Sequence, residues 1–239
     1  MISVINHLRI ETSEIKRFRD ANPKKVRMAN DLVGLSGMAA HCLLRAEVSA
    51  TACLLVQEVY RHFQEALLFV MRGEPRMSLS MGRIASEGCR DLLRLLEDHS
   101  REELYFNGRD SEEKSVREKF KKTFRFKLPE ERFLHALYNM GSDFGIHARI
   151  PICDADGYVL DENGSSFVNL SQKSQQTSVF MVTCSTLLLS MPSVMVAAKD
   201  SIITSNEAHK IATEWRRIYE TLEPEFSGYL LNWQKRQLH

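Results

Sequence analysis

The sequence predicts an all-α protein, a multi-helix bundle that forms one domain over residues 1–239. Apolar residues recur at helical spacing along most of the chain. The alternating strand and helix patterns of a parallel sheet are missing, and no repeat, low-complexity tract or long linker divides the sequence. Helical periodicity is lost only near 150–171, where Asx-Gly pairs at 156–157 and 163–164 predict a small irregular or β-hairpin excursion.

The charge balance and the cysteines limit the classes of function. The 32 Lys and Arg against 31 Asp and Glu give a formal net charge of +1, which argues against a protein that coats nucleic acid generally but allows local patches. The five cysteines are an odd set without a CxxC pair, so neither a disulfide framework nor a zinc knuckle is predicted. We therefore expect a reduced, cytoplasmic protein without metal or cofactor. The N-terminus also lacks the pattern of a signal peptide.

The first part of the chain predicts a loosely attached segment and two long helices. Residues 1–25 are polar and mixed in charge, which suggests a loosely attached N-terminal helix or arm. Leucine and alanine recur at helical spacing over 26–46. Ser49 is placed to cap the next helix, which should end near Arg72. Apolar residues cover most of that helix's circumference, so we expect it to be the most buried one.

An amphipathic helix over 78–100, with Ser78 or Ser80 as its N-cap, carries the first candidate site. One side is apolar, and the other presents a polar stripe of Arg83, Glu87, Arg90 and Arg94. At this spacing the glutamate can pair with the arginines around it. A stripe that faces water would be a solubility feature, whereas a covered stripe would form an anion-binding pocket. The first three members are our candidate ligand-binding residues.

A basic and aromatic segment follows an acid-rich stretch at 97–113. Residues 114–127 carry seven basic side chains interleaved with three phenylalanines, a mixture that suits phosphates and stacked bases. The candidate RNA-binding residues are Lys119, Lys121, Lys122 and Arg125. In the alternative interpretation, the phenylalanines dock an exposed helix onto the bundle while the cations stay in water, and the acidic stretch is their intramolecular partner.

A helix that begins near Pro129 carries the second candidate site. Asp143 and His147 lie one helical turn apart, so the carboxylate could orient the imidazole and raise its basicity. We name Ser142, Asp143 and His147 as candidate ligand-binding residues, and His147 also as a candidate catalytic residue. Such a pair also occurs by chance on helix surfaces, and the sequence leaves both interpretations open.

The most apolar part of the chain is 173–198. Its length would admit a membrane span. Its many hydroxyl and amide side chains, together with Pro192, instead predict a buried core helix that breaks near the proline, and we expect no membrane association. A further helix over 206–222 and a short closing helix complete the predicted bundle.

Two segments carry a resemblance to a group of poorly characterised bacterial all-helical proteins: RIASE at 83–87 and SDFGIH at 142–147. The resemblance spans roughly residues 48–200. Some similar bundles belong to the HEPN superfamily, whose nucleases carry an arginine, then four to six intervening residues and then a histidine, on a helix completed by a dimer partner. Arg94 and His99 are similar to that pattern. The resemblance implies a metal-independent ribonuclease in which Arg94 stabilises the transition-state phosphate and His99, or alternatively His147, handles the proton.

Two classes of function therefore stay open. The sequence has no metal-ligand cluster, phosphate-cradling glycine loop or nucleophile motif, which favours a non-enzymatic interaction or regulatory protein with a polar Arg/Glu/His pocket or face. We expect such a protein to be a homodimer through an amphipathic helix face, and a protein partner is possible. The alternative is the HEPN-like ribonuclease, whose partner would be RNA.

Overall fold

A computed structural model describes residues 4–45, 49–127, 131–142, 158–160, 166–168, 172–197, 206–207 and 209–220. This part of the chain is all-α, as predicted, apart from one short strand pair. Strands β1 (Tyr158–Leu160) and β2 (Ser166–Val168) are antiparallel, with Tyr158 opposite Val168. The rest of the predicted excursion at 150–171, including the turn at 156–157, lies outside the described residues, so the excursion as a whole stays a prediction.

The helices have the following order along the chain. They are α1 (Val4–Ala21), α2 (Pro23–Arg45), α3 (Ala50–Met71), α4 (Pro75–Glu97), a 3-10 turn (His99–Arg101), α5 (Glu102–Gly108), α6 (Lys114–Thr123), α7 (Arg132–Met140) and α8 (Gln172–Ala197). A further helical segment covers 209–220. The first of these helices lies where an N-terminal helix or arm was expected, and its Phe18 is buried against Phe180 with ring centroids 5.1 Å apart.

Helices α3 and α4 form the antiparallel centre of the bundle. The predicted cap of α3 is confirmed, because the hydroxyl of Ser49 accepts a hydrogen bond from the amide of Ala52 at 3.2 Å. Helix α3 ends before Gly73, whose φ of 83° is a conformation that favours glycine. The apolar side of α3 fills the core, with Val56, Phe63 and Val70 fully buried.

Helix α4 begins earlier than predicted. Pro75 occupies its first turn, where the missing N–H removes no helical hydrogen bond. The prediction of Ser78 or Ser80 as the N-cap is therefore wrong. Ser78 is buried inside the helix, and the hydroxyl of Ser80 donates back to the carbonyl of Arg76 at 3.1 Å.

Helix α8 is a buried core helix, as predicted, and Phe180, Met181 and Leu187 are fully buried in it. No helix in the described ranges is long and apolar enough to cross a membrane. The predicted break at Pro192 is wrong, since α8 continues to Ala197. A donor from the 209–220 segment supplies the hydrogen bond that the proline cannot make.

Candidate functional site

The polar stripe of α4 is partly covered by α7 and by the segment after α6. Arg94 is only 1% exposed. Its guanidinium donates to Glu97 Oε1 at 2.7 Å and to the backbone carbonyl of Arg125 at 3.1 Å, and it also pairs with Glu131. The other carboxylate oxygen of Glu131 accepts from the amide of Lys127 at 3.0 Å. Arg94 therefore fastens the chain after α6 to α4.

Arg94 and His99, the residues of the ribonuclease hypothesis, have different environments. Arg94 is buried and bound by Glu97 and Glu131, whereas His99 is exposed in the 3-10 turn. No contact in the described part of the chain joins the two side chains. In this arrangement the guanidinium does not reach an exposed cleft, and the catalytic role of the pair stays a prediction.

Arg90 is held in place by a carboxylate and a ring. Its Nε donates to Asp91 Oδ1 at 2.7 Å, and its guanidinium lies 5.2 Å from the centroid of Phe126. Burial raises the pKa of Asp91 to about 6, and the Arg90 cation opposes this rise. Glu87 lies 3.5 Å from Arg90, which confirms the predicted pairing of these two residues.

The two candidate ligand-binding sets meet at Arg83 and Ser142. Nε of Arg83 donates to the Ser142 hydroxyl at 2.9 Å, and the guanidinium lies 5.1 Å from the ring centroid of Tyr138. A Cβ on Gly141 would collide with the carbonyl oxygen of Leu79 and with Cβ of Arg83, so a glycine is what lets α7 approach α4 here. The partners predicted for this site, Asp143 and His147, lie outside the described residues.

A groove opens beside Arg90 with a cavity volume of about 460 Å³, and we call it the arginine–aromatic groove. Its charged lining consists of Arg90, Arg109, Lys121, Arg125 and Glu87. Its ring-bearing lining consists of Phe120, Phe124, Phe126, His135 and Tyr138. Four cations thus face one carboxylate within a ring-lined depression.

The cations at the rim of the groove are accessible. The side chains of Arg109 and Lys121 are 52% and 69% exposed, and Arg125 is also exposed. Lys121 has an intrahelical partner, Glu118, at 3.2 Å. Cations of this kind keep most of their hydration and mobility, so they remain able to exchange partners.

The rings divide into buried and accessible groups. Phe120 and Phe124 are 7% and 3% exposed and stack with centroids 4.8 Å apart against Leu95, so these two side chains dock the segment onto the bundle. This docking is the alternative interpretation of the basic segment. Phe126 is only partly buried, and its centroid lies 5.1 Å from that of His135 and 5.4 Å from that of Tyr138. The partly buried rings form the floor of the groove.

Glu87 stands between the groove and a second, smaller cavity. It accepts hydrogen bonds from Arg90 and Arg109. The smaller cavity, of about 180 Å³, shares Glu87 and Arg109 and is also lined by Asp91 and His62. The predicted pairings of Glu87 with Arg83 and Arg94 are not found among the described contacts. Its second partner is Arg109, which lies just beyond α5.

The structure brings together part of each predicted set. Glu87 and Arg90 line the groove, and so do Lys121 and Arg125 of the basic segment. Lys119 and Lys122 are exposed on α6 but do not line it.

Sequence reasoning missed four residues of the groove. They are Arg109, the accessible ring of Phe126, His135 and Tyr138. The last two could have been found, because they lie three residues apart and so share one helix face. Arg109 gave no local signal, since it lies inside the acid-rich stretch at 97–113.

Metal chemistry has no candidate centre in the described ranges, where no group of His, Cys, Asp and Glu is placed to hold an ion. The side chains that line the groove are four cations, five rings and the carboxylate of Glu87. Comparison of the chain with models of protein families, with curated proteins and with solved structures gives no match.

Proposed function

We propose that this protein is a non-enzymatic interaction module that recognises an anionic, ring-bearing ligand in the arginine–aromatic groove. The observation that carries the proposal is the convergence of Arg90, Arg109, Lys121 and Arg125 on a cavity that holds one carboxylate, Glu87. Guanidinium groups bind phosphate and carboxylate oxygens through paired hydrogen bonds, which makes arginine the common residue at such sites. A volume of about 460 Å³ lies within the range of small-molecule sites.

The arginines have different tasks in this proposal. Arg90 is 8% exposed and fixed between Asp91 and Phe126, so it supplies a positioned charge at the base of the groove. Arg109 and Arg125 are exposed and can turn toward a ligand. Fixed groups define the geometry of recognition, and mobile rim groups add charge attraction.

Ligand binding would also rearrange an ion pair, which gives the module a route to regulation. Arg109 pairs with Glu87 in the described structure. An anion in the groove would compete with that carboxylate for the guanidinium. Arg109 lies just beyond α5, so its release would change the restraint on the connection between α5 and α6. Such a difference in contacts between free and bound protein is what allows a ligand to shift a conformational equilibrium.

The proposal is tested by calorimetric titration of the full chain with uridine monophosphate and with inorganic pyrophosphate. We expect Arg125→Glu to lower the affinity for both ligands at least about tenfold, because it replaces an attractive charge at the rim by a repulsive one. Arg132→Glu is the matched control, since Arg132 is an exposed arginine of α7 that lies over Phe133 and does not line the groove. Equal weakening by both variants, or no binding by the wild type, would contradict the proposal.

A homodimer, expected from the amphipathic helix face in the sequence, is also favoured by exposed apolar side chains. Leu54 is 65% exposed on α3 and Ile84 is 39% exposed on α4, so the central helix pair presents apolar side chains to the outside. A second copy of the chain could cover them. Sedimentation equilibrium should show dimers that dissociate in Leu54→Glu, whereas a wild type that is monomeric at high concentration would exclude this part of the proposal.

The HEPN-like ribonuclease stays the alternative prediction. Its test uses RNA in the presence of a chelator, with wild type, His99→Ala and His147→Ala. His99 is exposed, so its replacement should leave the fold intact. Cleavage that is lost in one of these variants would favour the enzyme. RNA that stays intact in the presence of the wild type would favour the interaction module.

A further inference from the structure

We infer that the ligand of the arginine–aromatic groove is single-stranded nucleic acid, with bases against the ring floor and the phosphate backbone continuing along α6 past Arg117 and Lys114. This inference rests on the proposed function, because it names the ligand of the same groove. Two features of the structure favour a ring-bearing polymer as the ligand rather than a small anion. They are a row of cations that leaves the groove and a floor of accessible rings.

The row of cations follows from the geometry of α6. Phe120 is buried and fixes the inward side of the helix. At 100° per residue, Lys114, Arg117 and Lys121 fall within about 60° of one another on one flank. All three are exposed, and Lys121 lines the groove. At about 1.5 Å per residue the row extends roughly 10 Å from Lys121 to Lys114.

The row is available to phosphates. In the part of the chain that the structure describes, no carboxylate pairs with the side chains of Lys114, Arg117 or Arg125, and Lys121 has only the exposed contact with Glu118. A mononucleotide bound in the groove would not reach the far end of this row. A nucleic acid strand would, and each neutralised phosphate would release counterions.

The floor favours unpaired bases. Phe126, His135 and Tyr138 are partly accessible rings, and the centroid of Phe126 lies within 5.4 Å of each of the other two. Bases in a duplex are stacked on each other and do not offer their faces, whereas single-stranded bases stack on protein rings without strong sequence preference. An acidic peptide would satisfy the rim cations but would leave the rings unused.

The direct test measures fluorescence anisotropy with a labelled oligouridylate of roughly ten nucleotides. The test variant is Lys114→Glu/Arg117→Glu. The control is Lys119→Glu/Lys122→Glu, which has the same net charge change on the other flanks of α6. We expect the test pair to lower the affinity for the oligonucleotide about tenfold or more while the affinity for uridine monophosphate is retained. The control pair should change the affinity for each ligand by less than about threefold.

The salt dependence adds a quantitative check. Arg109, Lys121, Arg125, Arg117 and Lys114 together would neutralise five phosphates, which predicts a slope of log affinity against log salt of about −3.5 for a single strand. The slope should become shallower by about 1.4 in Lys114→Glu/Arg117→Glu and stay unchanged in the control pair. A slope that does not differ between the two pairs would overturn the inference.

The contribution of the rings is tested separately at Phe126. Phe126→Leu keeps an apolar side chain under Arg90 but removes the ring. We expect it to lower the affinity for the oligonucleotide about fivefold or more. Phe126→Tyr should restore the affinity. Urea unfolding of both variants checks that the fold is retained, and a loss with Tyr equal to that with Leu would overturn the role of the ring.

Competing ligands separate this inference from the proposed function. A duplex of the same length, or polyglutamate of the same charge, that binds as tightly as the single strand would overturn the inference. Retained binding of uridine monophosphate in that case would leave the anion-binding groove standing. Failure of uridine monophosphate and pyrophosphate to bind wild type would instead contradict the proposed function itself.

Discussion

The indole N–H of Trp215 donates a hydrogen bond of 2.8 Å to the backbone carbonyl of Leu188. Leu188 lies four residues before Pro192, so its carbonyl is the one that a helical amide at position 192 would normally bind. Proline has no N–H to offer. The tryptophan from the 209–220 segment thus replaces the missing donor, and α8 runs to Ala197 without a break.

This relationship predicts energetic coupling between positions 192 and 215. Trp215→Phe leaves the carbonyl of buried Leu188 without a donor and should lower the free energy of unfolding by about 1–3 kcal/mol. In a Pro192→Ala background the new amide can bind that carbonyl, so the same change should cost less. A double-mutant cycle by urea unfolding should give a coupling of about 1 kcal/mol. Strict additivity would contradict the replacement of the donor.

The buried pair of Arg94 and Glu131 predicts a large effect on stability. Glu131→Gln would leave the guanidinium, which is only 1% exposed, without one of its two carboxylates. We expect a loss of about 3–5 kcal/mol in the free energy of unfolding. Glu103→Gln, at an exposed position of α5, is the control and should change it by less than about 0.5 kcal/mol. Comparable stability of the two variants would argue against the pair.

Asp91 predicts a dependence of stability on pH. Its pKa is about 6 in the folded protein against an ordinary value of 3.8, because burial disfavours the charged carboxylate. Between about pH 4 and 6 the folded state therefore binds more protons than the unfolded state, and this group makes stability fall as the pH rises. The full penalty, on the order of 3 kcal/mol, applies above about pH 6 and disappears below about pH 4.

Comparison of wild type with Asp91→Asn isolates this contribution. Urea unfolding at several pH values should show the wild type losing stability relative to the variant as the pH rises from about 4 to 7. Asp110→Asn, at an exposed position near the end of α5, should follow the wild type. A difference between wild type and Asp91→Asn that is constant with pH would show that the carboxyl does not titrate in this window.

Substitution by alanine should change the free energy of unfolding in opposite directions at two glycines. A Cβ at Gly34 of α2 would meet nothing within 4 Å, so Gly34→Ala should raise the free energy of unfolding by about 0.5–1 kcal/mol through its better helix propensity. A Cβ at Gly141 would collide with Leu79 and Arg83, so Gly141→Ala should lower it by about 1–3 kcal/mol. Thermal unfolding of both variants checks the signs, and stabilisation by both would contradict the close approach of α7 to α4.

Local chemistry explains which parts of the fold were predictable. The cap of α3 needs only Ser49 and the amide of Ala52 three residues later, so it is readable from adjacent positions. The continuation of α8 across Pro192 depends on Trp215, which is 23 residues further along the chain. No periodicity within α8 contains that information.

The candidate site shows the same limit. The pairing of Glu87 with Arg90 was predictable, because helix geometry alone places the two side chains on one side of α4. The sequence did not reveal that Glu131, 37 residues after Arg94, would take that arginine out of solvent. It also did not reveal that Arg109 would pair with Glu87. Both pairs depend on which helices become neighbours, and side-chain spacing within one helix does not determine that.

The hydrogen bonds from Arg94 to the carbonyl of Arg125 have a consequence for affinity. They hold the backbone of the groove wall, while the side chain of Arg125 stays exposed at the rim. The conformational entropy of this wall is then lost when the chain folds, so little further ordering is needed when a ligand arrives. A buried arginine of α4 therefore preorganises an exposed arginine at the rim of the groove.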